Sequence, residues 1–125
     1  MTSSTRTAKP SITANKAAHL AVDVASDRQA TDIVLLDVHA ISGFTDFMVI
    51  MSVNSVRQLD AVADTLIEEI EKAGLTIHHR EGKPDSGWVL VDFGDLVLHV
   101  FSEEQREHYR LEQVWALAKQ VVRVQ

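Results

Sequence analysis

The chain contains no cysteine. That excludes disulfides and thiolate metal sites. It has no apolar run approaching the ~20 residues needed to span a bilayer as a helix. It has no basic cluster: 12 Lys and Arg stand against 18 Asp and Glu, for a net charge of −6. Affinity for nucleic acid rests mainly on Lys and Arg neutralising phosphates, so this acidic chain is poorly suited to nucleic acid as its primary partner. No internal repeat is visible. At 125 residues, the chain is expected to form one domain with one core.

Residues 1–10, MTSSTRTAKP, show no apolar periodicity and read as a flexible N-terminal tail, with the domain over 11–125. Arg6, Lys9 and Lys16 with no acid before Asp23 faintly resemble a transit peptide, but a cytoplasmic protein with a loose tail fits better. Ser11 is read as capping a helix to about Asp27, with Leu20, Val24 and alanines on its apolar face. Asp32–Val38 is a nearly continuous apolar run suited to a central strand buried on both faces. Asp37 within it is costly unless hydrogen-bonded. After a turn at Ile41–Phe44 comes a second strand, Asp46–Val53. Ser55 and Gln58 form a capping box. Behind it, Val56, Leu59, Val62, Ala63, Leu66, Ile70 and Ala73 recur at spacings of three and four until Gly74 stops the helix. Leu75–Arg80 reads as a short strand and Glu81–Gly87 as a loop. A second capping box, Ser102 with Gln105, opens a terminal helical region through Trp115 to about Val121. The order α-β-β-α-β-β-β-α implies a single-domain α/β fold, a mixed β-sheet with helices packed mainly on one face.

The most informative stretch is Gly87–Trp115. Two apolar runs, Trp88–Phe93 and Leu96–Phe101, flank only Gly94-Asp95. A two-residue Gly-X loop between β-prone runs signals a hairpin with a type II′ turn. Folding about it pairs Trp88 with Phe101, Leu90 with His99 and Asp92 with Val97. Side chains alternate across strands. One face then carries Val89, Val91, Phe93, Leu96, Leu98 and Val100, all apolar, and is core. The other carries Trp88, Leu90, Asp92, Val97, His99 and Phe101. Aromatic anchors mixed with a few polar groups suit a protein-binding surface. Arg106 and Tyr109, three apart on one helix face, are expected to join it.

The same stretch resembles the Iojap family, the ribosomal silencing factors. Trp88, Leu90, Asp92, Phe93, Asp95, His99, Phe101, Arg106, Tyr109, Leu111, Glu112 and Trp115 stand at the family's spacing. Upstream, Asp32-Ile33, Leu36-Asp37-Val38, Thr45-Asp46-Phe47, Val49-Ile50, Arg57-Gln58 and Glu81-Gly82 fit the same pattern. The match spans about residues 30–118. The resemblance implies a nucleotidyltransferase-like topology. It also implies a factor that binds the large ribosomal subunit through ribosomal protein L-fourteen, blocks joining of the small subunit, and represses translation under nutrient limitation. Ribosomal RNA would be a secondary contact, and a homodimer through the same patch is compatible with it.

Nucleotidyl transfer is the alternative reading. Such enzymes place two carboxylates at alternate strand positions after a Gly-Ser turn, where they share Mg²⁺. No Asp-x-Asp or Asp-x-Glu occurs in a strand with such a turn before it. Asp32 and Asp37 are an odd number apart, and Asp92 and Asp95 straddle a turn. His78 and His79 are adjacent on a strand and point opposite ways. His99 shares a face with Asp92 but has no evident third ligand. No catalytic residue, cofactor or metal is therefore expected. Trp115, spaced helically with Leu111 and Ala118, reads most simply as core.

Overall fold

The computed structural model describes residues 12–125. The expected tail and the cap expected from Ser11 lie outside the described residues. Helix α1 (Ala14–Asp27) begins at Thr13, whose side chain accepts from Lys16 N at 3.2 Å. Its buried face is Ala17, Ala18, Ala21, Val22 and Ala25. Small side chains let the helix approach its neighbours closely. Strand β1 (Thr31–Asp37) and strand β2 (Phe47–Val53) follow. Helix α2 (Val56–Lys72) starts where expected: Ser55 Oγ accepts from Gln58 N at 3.0 Å, and Gln58 Oε1 accepts from Asn54 N at 2.7 Å. Its buried residues are Leu59, Val62, Ala63, Leu66 and Ile70, the middle of the expected stripe. At the ends of the stripe, Val56, in the first turn, is 53% exposed and Ala73 is the C-cap.

The expected strand Leu75–Arg80 is shorter and shifted. Strand β3 spans only His79–Glu81, although His78 N still reaches Asp92 O at 2.8 Å. Strand β4 (Trp88–Asp92) and strand β5 (Leu96–Ser102) form the hairpin in the expected register, from Trp88 opposite Phe101 to Asp92 opposite Val97. The turn requires glycine. Gly94 has φ +89°, and a Cβ there would lie 2.8 Å from the His78 ring. Asp92 Oδ1 accepts from Gly94 N at 2.7 Å and so holds the turn. The Asp95 carbonyl then accepts from Asp46 N and Phe47 N, tying the turn to the start of β2.

The terminal region departs most from expectation. Helix α3 (Glu103–Tyr109) is capped by Ser102, whose Oγ accepts from Gln105 N at 3.1 Å. It ends at Arg110, which adopts a left-handed φ of +49°. A four-residue turn, α4 (Leu111–Val114), follows, and then a strand, β6 (Lys119–Val124). The helix expected to reach Val121 is therefore broken twice. KQVVRV is rich in β-branched residues, which favour a pleated strand over a helix. β6 pairs antiparallel with β1.

The sheet order is β3-β4-β5-β2-β1-β6. β2 and β5 run parallel, and the other neighbours are antiparallel. β1 is an interior strand, and Ile33, Val34, Leu35 and Leu36 are all buried, as its continuous apolar run requires. The two long helices cover one sheet face, over a core that includes Val49, Met51, Val89, Val91, Leu98 and Val100. The opposite face has a smaller core of Val34, Leu36, Val38, Met48, Ile50 and Phe101. Trp88, Leu111, Trp115 and Ala118 pack against that second core.

Candidate partner-binding groove

Alternation along β4 and β5 sends Trp88, Leu90, Asp92, Val97 and His99 to the sheet face away from α1 and α2. There they line an open groove of about 390 Å³. The C-terminal segment supplies Leu111, Val114 and Trp115, the β1–β2 loop supplies Phe44, and β2 supplies Met48. Phe44 stacks edge-on against Trp115, with centroids 6.2 Å apart. Phe44 and Val114 are 65% and 70% exposed, large values for apolar side chains beside a groove. The charged groups at its margin are Glu81 and Asp92. His79 there lies 2.6 Å from Glu81 Oε2.

Trp88 is the hub of the aromatic cluster. Its ring stacks on Phe101 at 5.0 Å and meets Tyr109 at 4.5 Å and His99 at 5.8 Å. Its indole Nε1–H donates to His99 Nδ1 at 3.1 Å. His99 also stacks on Phe101, at 6.0 Å. Burial pushes the His99 pKa down to about 4, so the imidazole is neutral near pH 7. Tyr109 sits apart from the main groove. It shares a smaller hollow of about 200 Å³ with Trp88, Leu90 and Glu81.

Besides Tyr109, two more of the eight expected partner-binding residues lie outside the groove. Phe101 is fully buried beneath Trp88 and offers no surface. Arg106 is 7% exposed and points away from the groove. Its guanidinium donates to the Asp32 carbonyl, to Ser52 Oγ at 3.0 Å and to Glu112 Oε2 at 3.1 Å from Nε. Asp32 in turn pairs with Arg123 at 2.6 Å. This network ties α3 and α4 to β1, β2 and β6 beside a separate polar cavity of about 550 Å³. Asp32 has φ +48° at the β1 bulge, which aims its carbonyl at Arg106. Val97 and His99 line the groove but are nearly buried, forming its floor. Trp115, read from the sequence as core, lines the groove while packing on the second core. Phe44 carried one visible signal, an aromatic side chain in a turn.

Asp37, the polar residue in the buried run, is satisfied locally. Its Oδ1 meets His39 Nδ1 at 2.6 Å and accepts from His39 N at 3.2 Å. The side-chain bond to His39 holds the Asp37 carboxyl below its ordinary pKa and raises the His39 pKa. Among the described residues, no group of three or more His, Asp or Glu could hold a metal ion, and no helix is long and apolar enough to cross a membrane.

A six-stranded mixed sheet, sealed by helices on one side and grooved by aromatics on the other, defines a small α/β domain built around one open apolar surface. The family described as "ribosomal silencing factor during starvation" matches residues 11–125, and the chain belongs to it. A ribosomal silencing factor of Haemophilus influenzae is 43% identical over 88 residues, covering 70% of this chain and 86% of that protein. The crystal structure of a Chromobacterium violaceum protein superposes with a TM-score of 0.80 at 30% identity, covering 84% of this chain and 88% of the other. A more distant relative from Mus musculus, a "mitochondrial assembly of ribosomal large subunit protein", is 33% identical over 99 residues, covering 77% of this chain and 43% of that protein.

Proposed function

We propose that this protein binds the large ribosomal subunit through ribosomal protein L-fourteen and, by its bulk, prevents the small subunit from joining. Translation is thereby repressed when nutrients are scarce, in the cytoplasm and without catalysis. The observation that carries the reading is the groove on the hairpin face. Its lining is largely apolar and aromatic, its margin is acidic, and among the described residues no Lys or Arg lines it. Apolar clefts with aromatic anchors suit protein partners. A phosphate backbone would need cations there, so ribosomal RNA is at most a secondary contact, made elsewhere. Trp88, Leu90, Asp92, Val97, His99 and Tyr109 form or adjoin the contact surface, with Phe101 supporting it from below. A homodimer using the same groove would compete with ribosome binding.

Sucrose-gradient sedimentation of mixed subunits tests this reading. Saturating protein is expected to deplete the joined-ribosome peak and to travel with large subunits. An unchanged joined peak would overturn it.

A further inference from the structure

One polar side chain in the groove has half of its hydrogen-bonding capacity spent and half open. His99 is only 4% exposed, in the middle of β5. An indole N–H can only donate, so Trp88 Nε1 at 3.1 Å makes His99 Nδ1 an acceptor. A neutral imidazole with Nδ1 accepting carries its proton on Nε2. Among the described residues that Nε2 has no hydrogen-bond partner. Among the described residues no buried side-chain nitrogen or oxygen is left without a partner, so Nε2 reaches the surface. The surface that His99 lines is the groove.

We propose that His99 is a specificity-determining residue of the groove: its Nε2–H donates to a neutral carbonyl oxygen of an apolar protein segment seated beside Trp88. This rests on the reading of the groove as the partner-binding surface. The acceptor is a carbonyl rather than a carboxylate or phosphate, because Glu81 and Asp92 stand around it, no Lys or Arg among the described residues lines the cleft, and His79 there is already engaged by Glu81 Oε2 at 2.6 Å. A donor in an apolar cleft discriminates strongly. A partner lacking the matching acceptor leaves the N–H desolvated and unpaired. Trp88 thus has two roles, as an apolar wall and as the group that fixes the His99 tautomer.

Two substitutions separate the two ring nitrogens. His99→Asn keeps an acceptor near the Nδ1 position for Trp88 but, being shorter, puts no donor at the Nε2 position. His99→Gln keeps a donor near the Nε2 position but has no acceptor at the Nδ1 position for Trp88. Affinity for purified large subunits is measured for the wild type and both variants, with thermal midpoints recorded. His99→Asn is expected to bind about tenfold more weakly than wild type, and His99→Gln to bind better than His99→Asn. Wild-type affinity in His99→Asn, or binding by His99→Gln no better than His99→Asn, overturns the proposal. Nitrogen NMR of the wild-type histidine side chains decides the case even if both variants unfold. A proton on Nε2 supports the assignment and one on Nδ1 refutes it. If the wild type itself fails to bind large subunits, the partner reading has failed instead, and the spectrum still decides the donor.

Discussion

The two faces of the sheet are made from the same strands and do different work. Beneath α1 and α2, Val89, Val91, Leu96, Leu98 and Val100 are all 0% exposed and belong to the larger apolar core. On the opposite face the cover is short and incomplete: α3, α4 and the turn that follows. Phe44, Val114 and Leu117 remain 65%, 70% and 89% exposed, and the aromatics close around a histidine instead of an aliphatic core. Adjacent residues of one strand therefore divide between holding the fold and presenting a surface. Burial alone does not distinguish them, since Phe101 and Leu98 are equally hidden. Only the completeness of the covering layer does.

The largest expected effect lies on the sealed face. Leu98→Ala should cost about 3 kcal/mol of stability, the usual range for removing a fully buried leucine. Urea unfolding would show it as a lower midpoint, while the protein that remains folded binds large subunits normally.

On the grooved face, acid is the corresponding probe. The His99 pKa is lowered from 6.5 to about 4 by burial, so the folded protein resists a proton that the unfolded chain accepts. That contribution is complete above pH 6.5 and is lost progressively as pH falls towards 4, in total about 3 kcal/mol. His99→Asn should flatten the stability profile across that window. An unchanged slope would mean that His99 is not buried as described.

A smaller effect is expected at Arg106, which separates the groove from its support. Arg106→Gln strands the Asp32 carbonyl, Ser52 and Glu112, and should cost about 2 kcal/mol. Affinity for large subunits at a temperature where the variant is folded should hardly change. A large loss of affinity would return Arg106 to the contact surface. Phe44→Ala is expected to act oppositely and least, within ~0.5 kcal/mol in thermal stability because the ring is exposed, yet weakening ribosome binding severalfold.

Elements whose signals are local were legible in the sequence. The hairpin register followed from Gly94-Asp95 and strict alternation, and α2 followed from Ser55, Gln58 and its periodic stripe. The C-terminal segment was not legible, because what breaks it is tertiary. Arg110 adopts a conformation usually left to glycine or asparagine, stabilised by no signal of its own. Glu112 is drawn onto a guanidinium that is itself anchored 74 residues away at Asp32. The β-branched run of β6 was visible, but its partner β1 lies far off in sequence. For the groove, alternation placed Trp88, Leu90, Asp92, Val97 and His99 on one face correctly. It could not show that Phe101 lies underneath, that Arg106 turns to another cavity, or that Phe44, Leu111 and Val114 complete the opening from distant segments.

The difference between the two faces is tested most directly by measuring the affinity of two variants of one strand for purified large subunits. Trp88→Ala removes the aromatic hub of the groove, and Val91→Ala removes bulk from the sealed core. With both folded, Trp88→Ala should bind about thirtyfold more weakly, the effect of losing an anchor of about 2 kcal/mol. Val91→Ala should bind as wild type while melting earlier. Wild-type affinity in Trp88→Ala, or an equal loss in both variants, would contradict the account and place the partner surface elsewhere.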